Sequence, residues 1–385
     1  MRQILNSIKN AFGGSKVDSK PKSHHRHEDD EDEEVSLEHV RALFILKRRE
    51  DYSTDIVNFQ EKTVATGMWN SARYVVDALR RLGANAEVVV VTDNNCIDRE
   101  VTQYKATHVF VEGYWVVPEK FDVLKPLHKG VKWIVRCHSE IPFLAQEGIA
   151  FKWTEGYLKR GIYVAGNSPR NSEELRIFAA GFNIPEEQLP MLPNSYPVTF
   201  KDIPNHHLVH HDKDVLDISC FGAVRPLKNH LAQAIAAYAF ARSHGKRLRF
   251  HINAGRVELQ GANALKNLIS FFEPLEDAEL VQHPWCNFDE FIEILRNIDV
   301  SMQVSFTETF NIVTADALYA GTPVVVSQEV PFVEEGLCDP TSLKSMLNAL
   351  HEATHHQVSN VTVNRSALSS YVTESALAWY NWLKK

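Results

Sequence analysis

Cysteine is scarce and scattered: five residues, Cys96, Cys137, Cys220, Cys286 and Cys338, among 385, with no Cys-x-x-Cys pair. The odd count and wide spacing exclude a disulfide framework and a thiolate zinc site, and reduced core thiols are expected. No apolar run reaches the roughly 20 residues that cross a bilayer. The richest, Leu231–Ala241, falls well short. A secretory apolar core with a cleavage site is also lacking, so an intracellular, cytoplasmic protein is expected. A basic surplus is lacking too: 41 Lys and Arg stand against 49 Asp and Glu, a net charge of −8. That excludes a generally basic nucleic-acid binder and leaves room only for a local basic groove.

What is present is an ordinary globular composition, 44% hydrophobic and 23% charged, in a chain long enough for two cores. The acidity is localised. Glu28–Glu34 is an unbroken acidic run, so the remaining body is close to neutral. Residues 1–36 read as a tail: Met1–Phe12 sets Ile4, Leu5, Ile8, Ala11 and Phe12 on one helical face, a segment able to touch a membrane or a partner but too short to be stable alone. Gly13–Glu34, with His24, His25 and His27, reads as a polar disordered linker.

From Glu38 strands and helices alternate. Strands are expected at Ala42–Lys47, Glu87–Val91, His108–Val111, Trp133–Cys137 and Ile162–Gly166, with a short one near Met191–Pro193, and helices at Met68–Leu82 and Pro169–Gly181. Continuous apolar strands separated by helices imply a parallel sheet covered on both faces. Tyr196–Asp214, carrying Pro197, Pro204 and His206, His207, His210 and His211, reads as a domain crossover. A second α/β set follows: strands Val215–Phe221, Arg247–Ala254 and Leu280–His283, and helices Asn229–His244, Asn263–Phe272 and Asp289–Asn297. The expected domains are residues 37–200 and 201–365. A closing helix over 366–385 should lay Trp379 and Trp382 back on the first domain.

The most informative stretch is Ser305–Ser327. Val300–Ser305 ends a strand, Phe306–Asn311 is a loop, Ile312–Ala320 is a short helix stopped by Gly321, and Thr322–Ser327 is a β-branched strand. The first amides of that helix lack intrahelical acceptors and carry the positive end of its dipole, which suits a phosphate. Glu308 before the helix and Asp316 within it frame the loop as acceptors for vicinal sugar hydroxyls. Read alone, Glu308 serves equally as a capping acid and Asp316 as a solvated helix residue. Gly222–Asn229 repeats the strand-to-helix pattern and presents Arg225 and Lys228, a bidentate fork and a compact ammonium, for a diphosphate.

Two such elements in one half of a two-domain α/β chain resemble the nucleotide-sugar domain of retaining GT-B glycosyltransferases, the family that includes glycogen-synthase-like enzymes. The likeness continues in the first half through Arg136-Cys137-His138-Ser139, Gly166-Asn167-Ser168 and Leu192-Pro193-Asn194-Ser195. The resemblance implies two Rossmann-like domains facing across a cleft, an α/β fold. It implies that Gly222, Arg225 and Lys228 meet the donor diphosphate, that Glu308 and the backbone of Phe310, Asn311 and Ile312 meet the sugar and phosphates, and that Asp316 holds the ribose. His138 then reaches the sugar from the opposite wall, and Trp285, after His283-Pro284, meets the base. The catalytic set is Glu308, His138, Arg225 and Lys228. No metal and no cofactor are called for, the nucleotide sugar being a co-substrate. Asp316 departs from the family's Glu, and Thr309 and Asn311 stand where Gly is frequent.

The resemblance therefore implies a retaining hexosyltransferase, with UDP-glucose as the first donor to test. A saccharide is one acceptor class. Hydroxymethylated bases in viral DNA are another, which would place the protein in a host cytoplasm and require a basic groove from Arg73, Arg80, Arg81, Lys152, Lys159 and Arg160. A non-catalytic module that binds nucleotide sugar is the alternative outside enzymes, and an epimerase would need further acids in the cleft.

Overall fold

The computed structural model describes residues 36–48, 67–198, 213–253, 255, 257 and 261–385. The readings of Met1–Phe12, Gly13–Glu34 and the crossover histidines lie outside the described residues.

Five parallel strands form the first sheet: β1 (Arg41–Lys47), β2 (Asn85–Val91), β3 (His108–Glu112), β4 (Lys132–Cys137) and β5 (Tyr163–Gly166), in the order β2-β1-β3-β4-β5. Its helices are α1 (Gly67–Arg81), α2 (Ile97–Tyr104), α3 (Phe121–Leu127), α4 (Ile141–Leu144), α5 (Ala150–Lys159) and α6 (Pro169–Ala180). The middles of β1, β3 and β4 are continuous apolar runs because both faces are covered. α6 starts cleanly: Ser168 accepts from the Asn171 amide, and Pro169 fills the first helical position. Gly166 is needed just before it, because an added Cβ would lie 2.8 Å from the Ser172 backbone. The short strand expected near Met191–Pro193 is only an isolated bridge between Gly166 and Met191.

The second sheet has six strands, β6 (Val215–Ser219), β7 (Arg247–Asn253), β8 (Ala278–His283), β9 (Val300–Gln303), β10 (Val324–Ser327) and β11 (Leu337–Cys338), ordered β11-β10-β9-β6-β7-β8. Helices α7 (His230–Ser243), α8 (Gly261–Phe272), α9 (Phe288–Arg296), α10 (Ile312–Ala320) and α11 (Leu343–His355) cover it. The strand order reverses between β6 and β9. In open parallel sheets ligands lie beyond the carboxyl ends of the strands at such a point.

The last helix, α12 (Gln357–Leu383), joins the two halves. Near its start Asn360 satisfies both the amide and the carbonyl of Val324, at 2.8 and 3.0 Å, and so plugs the second sheet's strand end. Near its end Trp379 lies against Phe44 and Phe110 of the first sheet and donates to the Pro193 carbonyl at 2.8 Å, while Trp382 meets His108 and Tyr163. One hydrophobic cluster thus runs from Phe44 through Tyr74 and Leu318 to Trp379 and spans both sheets. None of the helices among the described residues is long and apolar enough to cross a membrane.

Candidate active site

The loop after β6 is shaped by three backbone commitments. Gly222 turns at φ 104° and donates its amide to Asn253 Oδ1 at 2.9 Å. Pro226–Lys228 makes one 3₁₀ turn, and Asn229 then adopts the left-handed region at φ 58°. The Asn229 side-chain amide donates to the Val304 and Pro340 carbonyls, which ties this loop to the one after β9. Lys228 is consequently aimed at Glu308, and their side chains form an ion pair in which both are largely buried.

The loop after β9 ends at Asn311, also left-handed at φ 60°. Only glycine, asparagine and aspartate take that conformation readily, so Asn311 does here what the frequent glycine does in the family it resembles. It adds two bonds that glycine lacks: Oδ1 accepts from the Thr314 amide at 3.0 Å, and Nδ2 donates to Gln303 Oε1 at 3.1 Å. Ile312 and Val313, whose amides have no intrahelical acceptor, begin α10 at the cavity wall.

The opposite wall comes from β4. Parallel register sets Glu112 beside Arg136, and the guanidinium grips the carboxylate with two bonds of 3.0 Å. Arg136 also donates to the Leu192 carbonyl and to Asn194 Oδ1. His138 Nε2 lies 2.6 Å from Glu112, and its Nδ1 lies 3.2 Å from Asn167 Nδ2. Both ring nitrogens of His138 are therefore engaged inside the first domain, and it meets the second through its carbonyl, which accepts from Thr309 Oγ1 at 3.2 Å. Burial pushes the Glu112 carboxyl up, and the Arg136 and His138 charges more than offset this, leaving it below the usual carboxylate range.

Asp316 is neither solvated nor a cap. It is 5% exposed and accepts the Tyr196 hydroxyl at 2.7 Å. Burial raises its carboxyl to about 7, the Tyr196 bond acting in the opposite direction. Tyr196 stands edge-on to Tyr74 of α1, so this acid sits where α1, the crossover and α10 meet.

These parts enclose a cavity of about 280 Å³ at the carboxyl ends of both sheets. It collects every residue that the sequence nominated: His138, Gly222, Arg225, Lys228, Trp285, Glu308, Phe310, Asn311, Ile312 and Asp316. Sequence reasoning passed over Asn70, Asn253, Asn287 and Phe291, which also line it. Asn287 had a local signature, a capping box with Glu290 at the start of α9. The other three carry none. Lys213, at the end of the crossover, pairs with Asp299 and lies outside the cavity lining.

Of the residues proposed for a basic groove, Arg80 pairs with Asp77, Lys159 with Glu155 and Arg160 with Asp122 and Glu119. Arg73 lies over the Tyr74 ring.

No family model matches the chain, and no curated protein matches it. Solved structures do. A UDP-forming α,α-trehalose-phosphate synthase from Burkholderia xenovorans is similar over 90% of this chain and 99% of its own, with 10% identity and a TM-score of 0.62. The structure of that organism's synthase with glucose-6-phosphate matches over 74% of each chain at 9% identity and a TM-score of 0.58. Anabaena HepE, solved with UDP and glucose, matches over 90% of this chain and all of its own at 12% identity and a TM-score of 0.57. At such identities the likeness establishes architecture, and the fold is GT-B.

Proposed function

We propose that the chain is a retaining glycosyltransferase that moves a hexose from a nucleoside-diphosphate sugar, UDP-glucose first among candidates, to an acceptor hydroxyl. The carrying observation is the convergence of all ten nominated residues, from both sheets, on one cavity at the strand ends. Neighbours with the same architecture are solved with UDP and glucose, which supports the donor class.

In this reading the departing diphosphate lies between Arg225, Lys228 and the first amides of α10. These groups offset its growing negative charge without having to reorganise. Arg225 is held in place, its guanidinium 5.3 Å from the Phe143 ring centre across the cleft. Glu308, anchored by Lys228, receives the sugar hydroxyls, and Asp316 takes the ribose. The base lies toward Trp285. Glu112 and Arg136 fix His138 and with it the wall against which the sugar rests.

The reading is tested by nucleoside-diphosphate release across UDP-, GDP- and ADP-sugars, with simple sugars, plain DNA, hydroxymethylcytosine DNA and lipid extract as acceptors. Acceptor-dependent release is expected. Binding of donor with neither transfer nor hydrolysis under any acceptor would instead mark a binding module.

A further inference from the structure

On the other side of the Lys228–Glu308 pair lies a second chamber, about 90 Å³ against the main cavity's 280 Å³. The two share His138, Arg225, Lys228, Glu308 and Thr309, so they adjoin, with the ion pair in the wall between them. The chamber's own walls are Ser139, Glu140 and Phe143 from the first domain, and Leu227 and Thr307 from the second. Resting on the donor reading above, we propose that this chamber binds the acceptor, and that it takes a neutral polyhydroxylated compound, read by the Glu140 carboxyl, in preference to a phosphorylated one.

Glu140 is 1% exposed and yet lines the chamber. One carboxyl oxygen accepts from Thr307 Oγ1 at 2.9 Å across the domain boundary. Arg170 reaches that same oxygen at 3.8 Å from the far side, where it also pairs with Glu174 and Glu329, and is not part of the chamber wall. Burial, reinforced by Glu329 and Glu174 against Thr307 and Arg170, raises the Glu140 carboxyl to about 7. Near neutrality it both donates to and accepts from hydroxyl oxygens, which is the chemistry that recognises a sugar. Ser139, Thr307 and Thr309 add hydroxyls, and the Phe143 ring adds an apolar surface for a pyranose face.

Charge selects against phosphate. The cations among the described lining residues are Arg225 and Lys228, and both belong to the donor's diphosphate in this reading. A phosphorylated acceptor would set a second anion beside the donor diphosphate and the Glu308 carboxylate, and like charges repel. This separates the chain from the Burkholderia xenovorans synthase solved with glucose-6-phosphate. In the transfer the acceptor O–H bond breaks and its oxygen bonds to the sugar C1 as the C1–oxygen bond to the diphosphate breaks. The proton leaves with the diphosphate, so Glu140 orients the hydroxyl and ends each cycle as it began.

The test uses the full chain, UDP-glucose and UDP release, with glucose, mannose, glucose 6-phosphate and hydroxymethylcytosine DNA as acceptors. A neutral hexose should accelerate release about tenfold or more over the acceptor-free rate, and glucose 6-phosphate at equal concentration about tenfold less than that. Glu140→Leu, which removes both donor and acceptor at similar size, should raise the hexose KM about tenfold while the UDP-glucose KM moves no more than about twofold, a split that a merely structural residue would not produce. Thr307→Val, which removes the partner of Glu140 from the other domain, should raise the hexose KM in the same direction. Faster release with glucose 6-phosphate or with DNA, no acceleration by either hexose, or an unchanged hexose KM in both variants would overturn the proposal. UDP binding by calorimetry separates the causes: UDP that binds without hexose stimulation defeats only the acceptor assignment, and UDP that does not bind defeats the donor reading as well.

Discussion

The Tyr196 hydroxyl donates to Asp316 Oδ1 at 2.7 Å, joining the crossover segment to the helix whose first turn faces the cavity. Asp316 titrates near 7 in the folded chain against 3.8 for an ordinary aspartate. Between those values the folded state holds a proton that the unfolded state has released. The contribution to stability is therefore complete below the ordinary value and lost as pH rises through about 7. Wild-type stability should fall relative to Asp316→Asn between about pH 4 and about pH 7, read as urea midpoints of both proteins across that range. Tyr196→Phe removes the bond that holds the carboxyl down, so the acid limb of donor affinity should move to higher pH. An acid limb unmoved in Tyr196→Phe would separate Asp316 from donor binding.

Lys228 and Glu308 supply the sharpest test of transfer. Glu308→Gln keeps an acceptor for the Lys228 ammonium and should leave the melting temperature nearly unchanged. Lys228→Ala strands a largely buried carboxylate and should lower it. In the proposed reaction both should reduce nucleoside-diphosphate release by about a hundredfold or more, because each removes a charge placed there against the reacting sugar phosphate. Turnover at wild-type rate in either variant would sink the assignment.

How much of this was legible in advance depended on whether a feature was local. The helix Ile312–Ala320 was readable to the residue because Asn311 and Gly321, both left-handed, bracket it. Gly222 and Lys228 were readable because a strand end, a glycine and a basic helix entry lie within one short stretch. The helices Ile97–Tyr104 and Phe121–Leu127 were missed: each buries only two residues, too few to establish a period. The ties that shape the site are non-local. Tyr196 and Asp316 lie 120 positions apart, and Thr307 and Glu140 lie 167 apart. Glu112 falls one residue past the strand expected at His108–Val111, and nothing local marked it as needing a partner. Only the β3–β4 register identified that partner as Arg136.

Asn311 offers a test of backbone against side chain. Asn311→Gly keeps the left-handed conformation and loses the cap on Thr314 and the bond to Gln303. Asn311→Ala loses the same bonds and adds the cost of a β-carbon in that region, about 1 kcal/mol more. Chemical denaturation should rank wild type above glycine and glycine above alanine. Equal stability of the two variants would mean that the conformation carries no strain.

Glu112 carries the opposite pH sign to Asp316. Its folded pKa is depressed, so its contribution is present above the ordinary carboxylate range and lost as pH falls through the folded value. Its partner Arg136 is fully buried, with an unbonded Nε and the Trp379 ring 5.3 Å from the guanidinium carbon. Glu112→Gln keeps the shape and removes the charge, which leaves a guanidinium in the core with only the Leu192 carbonyl and the Asn194 amide oxygen as other acceptors. Breaking a buried pair in this way costs about 3–5 kcal/mol, and the loss should shrink at acid pH, where the wild-type carboxylate is itself protonated. A double variant, Glu112→Gln with Arg136→Met, removes both charges and should recover much of that loss, because an apolar side chain of similar length needs no counter-ion. If the double variant is no more stable than Glu112→Gln, the Arg136 charge is not what the carboxylate offsets, and packing around Trp379 carries the cost instead.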